Sequence, residues 1–350
     1  MQAQEKGIDA IMINEDTTHM ADIWKRARTT AAMAYLSPEM AFSPSFQNLW
    51  KDTKFRSRIT AIIIDEAHYV DEWGGEDFRP QYRQLSNLRN YTGQEVPFFA
   101  CPATCRTSTF DTIWSTLGYG FRPFWGLDVG TDRRNLFFIT RPLMHPKDPV
   151  LEILNLLPQL LSASRRLEDI DKALFYFDSE ATCRLVIKAL RKILPPHLRQ
   201  CIQAFSSDLS TKGKEICWDQ FRRGILRIIC ATDAAGMGCN VPNVKYVVTF
   251  GVPNSVGTVG QRWGRAGCDR ITEGVCILLV PQWAFRPKAS PSHQAAIQHL
   301  SRGRGAHAPE SKQDTLNQAK MDSTLENFVN VEAMVPHGEL CHLYHIFSRC

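Results

Sequence analysis

Asp65-Glu66-Ala67-His68 follows directly on the apolar run Ala61-Ile62-Ile63-Ile64. A continuous β-branched run bounded by charge predicts a buried strand of a parallel sheet. Carboxylates at the carboxyl end of such a strand sit where open α/β sheets bind ligands. In phosphoryl transfer one carboxylate there holds Mg²⁺ and a second positions the attacking water. The phosphate-cradling pattern G-x-x-x-x-G-K-[ST] does not occur in these 350 residues, and Lys212-Gly213-Lys214-Glu215 lacks its spacing and its hydroxyl. The candidate chemistry is therefore half of a nucleotide-hydrolysing centre.

Other pairs have a plainer alternative. An Asp-Glu pair at a strand end also caps helices, and small residues such as Gly236 and Gly238 suit any tight strand-to-helix turn. Trp73 and Phe78 are suited to stacking on bases and equally to interior packing. Arg165-Arg166 and Arg222-Arg223 read as solvated helix faces. Arg302-Gly303-Arg304-Gly305 adds little polyanion affinity with two arginines.

These residues need a scaffold of strands alternating with helices. Apolar runs predict strands at 10–13, 32–35, 59–64, 98–100, 173–177, 226–231, 246–250 and 275–280. A helix over Cys183 to Leu194 is stopped by Pro195-Pro196. Such alternation implies an α/β fold with covered parallel sheets. Prolines 142, 146 and 149 suggest a linker at about 140–150, and residues 286–324 have the composition of a loosely attached segment. Apolar residues return from Leu325 to Phe347, which predicts a short helical element.

The apolar fraction of 44% fits a globular chain, and the net charge of +5 permits a polyanionic partner without demanding one. No stretch has the length of a membrane span, and MQAQEKGIDA has no secretory-signal core. The 11 cysteines include no C-x-x-C pair, and several sit in apolar segments, so reduced buried thiols are expected rather than a disulfide framework or a metal site.

Beyond the four-residue box, DEAHYVDEWGGEDFRPQY (65–82) resembles the RecQ family of DEAH-type superfamily 2 helicases, whose pattern continues W-G-x-D-F-R-P-x-Y. Trp73, Gly74, Asp77, Phe78, Arg79, Pro80 and Tyr82 match, with one extra residue before Asp77 and Glu76 in place of the family's His. Tyr35-Leu36-Ser37-Pro38-Glu39 is similar to the Y-x-x-P-E element. Ala100 to Cys105 stands where the family has A-L-T-A-T-A, with Pro102 for the first Thr. Arg133-Arg134-Asn135-Leu136 resembles R-P-N-(L/I), and 231–238 resembles A-T-x-A-x-G-M-G. Gln261-Arg262-Trp263-Gly264-Arg265-Ala266-Gly267-Cys268 resembles Q-x-x-G-R-A-G-R. Together the landmarks run from about residue 7 to 282.

The resemblance implies two RecA-like parallel-sheet lobes, the first incomplete: 1–141, then 142–284, then a tail 285–350 as a remnant of a zinc-binding subdomain. It implies ATP-dependent 3′-to-5′ DNA unwinding. Asp65 would hold Mg²⁺, Glu66 would orient water, and His68 and Gln261 would sense the nucleotide. Arg265 would neutralise transition-state charge, and Gly236 and Gly238 would approach phosphate or sugar. Pro38, Glu39, Trp73, Phe78, Arg79 and Thr232 would contact single-stranded or partly duplex DNA. The implied cofactors are ATP and Mg²⁺, and the implied location is the nucleus; zinc is not expected, because Cys341, Cys350, His337, His342 and His345 fit no familiar spacing. Cys268 stands for the family's second arginine, with Arg262 and Arg270 as candidate substitutes. The first lobe is expected to lack its phosphate loop. The alternative readings are a catalytically inactive nucleic-acid-binding remnant and an incomplete gene product.

Overall fold

The computed structural model describes residues 2–72, 79–93, 95–103, 105–121, 123–127, 133–156, 166–232, 241–285, 317 and 320–330. The chain divides into two units, Met1–Gly130 and Thr131–Cys350.

The first unit has two two-stranded parallel sheets. β1 (Ala10–Ile13) pairs with β2 (Met33–Leu36), and β3 (Ile62–Asp65) pairs with β4 (Phe98–Cys101). One face carries a core in which Ile11, Ile13, Ile64 and Phe98 pack with Phe46, Leu49, Trp50, Phe55, Leu85 and Leu88. Period-two alternation turns Met12, Tyr35, Ile63 and Phe99 to the other face, where all four are exposed, Ile63 by 60%. The Ala61–Ile64 run is thus not the doubly covered strand expected from its continuous apolar character. Among the described residues the first unit's core lies on one face, so apolar side chains such as Ile63 remain on the outer one.

The local helices follow from caps. Ser37 accepts from the Met40 amide at 3.2 Å with Pro38 at the first helical position, and Ser43 caps Pro44–Lys51 in the same way.

The second unit holds one parallel six-stranded sheet in the order β5-β10-β9-β6-β8-β7: β5 Leu136–Pro142, β6 Lys172–Tyr176, β7 Ile202–Phe205, β8 Ile228–Ala231, β9 Val244–Phe250 and β10 Gly274–Val280. Both faces are covered. Leu174, Tyr176, Ile229, Val247 and Leu278 pack on one side with Trp218, Phe221 and Trp263. Ala173, Phe175, Cys230, Val248 and Ile277 pack on the other with Val186, Leu190 and Ile153.

The 140–150 segment expected as a linker starts inside β5. Pro142 is tolerated because β5 is an edge strand. The helix Ser323–Asn330 packs into the second unit's core through Leu325 and Val329, and Asn330 Nδ2 donates to Ala284 O at 3.2 Å. Among the described residues no helix is long and apolar enough to cross a membrane. The eight described cysteines are free thiols, five of them buried.

Candidate functional site

Asp65 ends β3 with its side chain at the surface, beside Cys101 at the end of β4. Its Oδ1 accepts from the Glu66 amide at 3.0 Å. Glu66 has φ +51°, the left-handed region that costs a non-glycine residue about 1–2 kcal/mol. That turn ends the strand abruptly and sends the chain into Tyr69–Glu72.

His68 is buried behind it. The Ala103 amide, just past β4, donates to His68 Nδ1 at 3.4 Å, and Glu66 Oε2 lies 3.5 Å from the same nitrogen. Burial holds the imidazole pKa below its ordinary value, while the Asp65 charge pulls the other way. The neutral ring accepts the amide proton at Nδ1, so the Glu66 approach is not an ion pair. The arrangement ties the carboxylate turn after β3 to the loop after β4.

Asp71 extends that tie, and sequence reasoning assigned it no role. Thr109 Oγ1 donates to its Oδ2 at 2.8 Å and Thr112 Oγ1 to its Oδ1 at 3.1 Å. The available signal was the Thr-x-x-Thr spacing, which puts two hydroxyls on one face of the helix Thr107–Thr116.

Glu39 and Arg79, both expected at DNA, meet each other: Arg79 Nε donates to Glu39 Oε1 at 3.2 Å, and the guanidinium lies over the Tyr82 ring at 5.7 Å. Pro38 starts the same short helix as Glu39. Trp73, Phe78, Thr104, Gly236 and Gly238 lie outside the described residues, as do His337, Cys341, His342, His345 and Cys350.

In the second unit Thr232 follows β8, its amide donating to Phe205 O at 3.3 Å. Gln261 lies in the helix Val256–Trp263, and Arg265 stands in the turn after it. Arg133 and Asn135 hold the loop that follows. Arg133 Nη2 donates to Ala266 O at 3.0 Å and Gly267 O at 2.9 Å, and Asn135 Nδ2 donates to Gly267 O at 3.0 Å and Thr272 O at 2.9 Å. Asp269 accepts from the Ile271, Thr272 and Asn243 amides and the Thr272 hydroxyl, which hold its carboxyl below the usual range.

Cys268 Sγ donates to Gly264 O at 3.4 Å and Arg265 O at 3.5 Å, and burial raises its thiol pKa. Arg262 does not replace the missing arginine at the surface. It is 2% exposed, 5.2 Å over the Tyr176 ring and 4.0 Å from Asp178 Oδ1. A basic residue beside a helix end reads as solvated in sequence, yet here its ring partner draws it inward. Arg270, with φ +60°, is exposed.

The predicted residues therefore form two groups. Asp65, Glu66, His68, Pro38, Glu39 and Arg79 belong to the first unit, and Thr232, Gln261 and Arg265 to the second.

Among the described residues no cluster of three or more His, Cys, Asp or Glu side chains is disposed to hold a metal ion. Mg²⁺ makes a smaller demand: one or two carboxylates, with water and phosphate oxygens completing the shell. The exposed carboxylate of Asp65 fits that demand.

Residues 152–270 match the helicase conserved C-terminal domain family. The ATP-dependent DNA helicase RecQ of Pasteurella multocida is 27% identical over 284 residues, which is 80% of this chain and 41% of that protein. The chain is a homologue of the RecQ helicases. The ATP-dependent helicase wrn-1 of Caenorhabditis elegans is 29% identical over 75% of the chain and 24% of its own length. This RecQ homologue thus spans between about a quarter and two fifths of these relatives. The DUF1998 helicase MrfA, solved bound to DNA, superposes with a TM-score of 0.61 at 18% identity over 84% of this chain and 40% of its own. A point variant of Saccharomyces cerevisiae Dbp5, bound to RNA and ADP BeF3, gives 0.58 at 16% identity over 93% and 75%. At such identities the likeness is one of fold. It makes the α/β architecture that of RecA-like lobes.

Proposed function

We propose that this RecQ homologue forms the catalytic core of an ATP-dependent 3′-to-5′ DNA helicase. The observation that carries the reading is the end of β3. There Asp65 is exposed, Glu66 is held at positive φ, and His68 is linked to the Ala103 amide. Asp65 would hold Mg²⁺, which when bound supplies charge neutralisation at the phosphates. The Glu66 carboxylate would orient the attacking water and accept its proton. His68 would report on the nucleotide to the loop after β4. Gln261 and Arg265 would act on the nucleotide from the second unit, and such arginines are worth about 10³–10⁵ in rate in other NTPases. Gly236 and Gly238 would approach the phosphates or sugar. Pro38, Arg79, Trp73, Phe78 and Thr232 would lie along the DNA strand, with Glu39 orienting Arg79. Nuclear location and the division into lobes at about 141 and 284 belong to the same proposal.

A second reading, an inactive nucleic-acid binder, is favoured by one observation. The residue at 268 is a thiol bonded to its own loop rather than an arginine. DNA-stimulated ATPase of the chain, with Asp65→Ala as control, separates the two. The helicase reading expects hydrolysis abolished by the substitution. Equal rates refute it, and DNA binding without turnover selects the binder.

A further inference from the structure

Cys101 stands one strand over from Asp65. The two are register partners at the ends of β4 and β3, and register partners in a parallel pair point to the same face of the sheet. That face is the outer one: Ile63, Phe99, Asp65 and Cys101 are exposed, while Ile64 between them is buried. The two side chains are close enough for the Asp65 charge to act on the thiol. In the A-L-T-A-T-A element that 100–105 resembles, the second position is an apolar leucine; here it is a metal donor.

We propose that Cys101 and Asp65 together form a two-donor site for a thiophilic divalent cation of the zinc and cadmium kind, at the position that Asp65 alone would give to Mg²⁺. This site rests on the reading of Asp65 as a cation ligand and gives it a second protein donor. A cation about 2.3 Å from a thiolate and about 2.1 Å from a carboxylate oxygen, at a tetrahedral angle, needs the donors about 3.6 Å apart. Neighbouring strands lie about 4.8 Å apart, so side chains that lean together by about 1 Å meet that demand.

Donor chemistry sets the selectivity. Oxygen ligands suit Mg²⁺, whereas a thiolate selects softer cations. Binding breaks the Cys101 S–H bond, releases its proton to solvent and forms a metal–sulfur bond, with no change of oxidation state. Water, and phosphate oxygens when a nucleotide is present, complete the shell. Two protein donors leave the cation exchangeable, unlike the closed four-donor structural sites. A soft cation would therefore displace Mg²⁺ reversibly and occupy the place where Asp65 acts. Cys105 is exposed as well, but it lies past the end of β4 and has no register with Asp65.

The test uses the full chain and Cd²⁺ alone as the probe. Alkylation of each thiol by iodoacetamide is followed by peptide mass spectrometry as Cd²⁺ is raised at fixed pH. Cys101 should become saturably protected, and Mg²⁺ at the same concentrations should not protect it. The Cd²⁺ concentration for half protection should rise at least about tenfold in Asp65→Asn, since even the loss of an outer-shell partner costs about 10–100-fold in metal affinity. Cys105→Ser should leave the protection of Cys101 unchanged. No protection, equal protection in Asp65→Asn, equal protection by Mg²⁺, or protection lost in Cys105→Ser overturns the proposal. The last outcome would put the cation between two thiols. Protection is read without turnover, so a chain that shields Cys101 through Asp65 yet hydrolyses no ATP keeps the cation site and loses only the helicase reading.

Discussion

Gly267→Ala probes how Arg133 and Asn135 hold the 265–272 loop. Gly267 has φ +49°, and a Cβ there would lie 2.3 Å from Asn135 Nδ2 and 2.6 Å from Thr272 O. The backbone conformation alone costs alanine about 1 kcal/mol. The Asn135 amide must also leave, and its two hydrogen bonds, to Gly267 O and Thr272 O, are worth about 1 kcal/mol each. The expected loss in the second unit is therefore about 3 kcal/mol, roughly a 10²-fold rise in opening. Hydrogen exchange of the β10 amides, Gly274–Val280, measures it, because that strand lies inside the six-stranded sheet and is exposed only when the unit opens. A double-mutant cycle isolates the mechanism. In an Asn135→Ala background the same glycine substitution should cost about 2 kcal/mol less, because the two bonds are already gone while the close approach to Thr272 O remains in both backgrounds. A loss below about 0.5 kcal/mol, or the same loss in both backgrounds, refutes the clamp.

Three further substitutions address the first unit. His68 has a folded pKa below its unfolded value, so the unfolded state binds the extra proton between the two. Its contribution to stability is full above about pH 6.5 and falls as pH drops from there through the folded pKa. His68→Gln should flatten that part of the stability profile in urea titrations from pH 7.5 to 5, and an unchanged profile would show that the ring is not held neutral. Arg79→Ala should weaken single-stranded DNA binding and reduce the slope of log K against log salt by about 1. Glu39→Ala should weaken binding no more than Arg79→Ala does and add nothing in the double variant, as a residue acting through Arg79 would; additive losses would contradict an orienting role.

The second unit was legible because its inner strands are covered on both faces. Runs such as Ala173–Phe177 and Val275–Val280 announce themselves as continuous apolar segments and lie within a residue of β6 and β10. Its edge strands were not foreseen. β7 carries Gln203 at an intermediate position, and β5 ends in Arg141-Pro142, which reads as a stop yet sits on an edge where no amide is needed. In the first unit the strands were found but their burial was overestimated, because a run of isoleucines does not say whether one face or two will be covered. Asp65, Glu66 and His68 were readable from local order alone. Asp71 with Thr109 and Thr112, and Arg133 with Ala266, were not. Their partners lie about 40 and 130 residues away, and only folding sets such pairs side by side.

The left-handed turn at Glu66 has an evolutionary consequence. Glycine or asparagine would take φ +51° at little cost, whereas glutamate gives up about 1 kcal/mol or more of stability to stand there. Mutation alone, acting on a chain with no need of that carboxylate, drifts toward the residue the backbone prefers. A glutamate at position 66 is thus a locally unfavourable choice, of the kind that selection for chemistry retains and neutral decay removes.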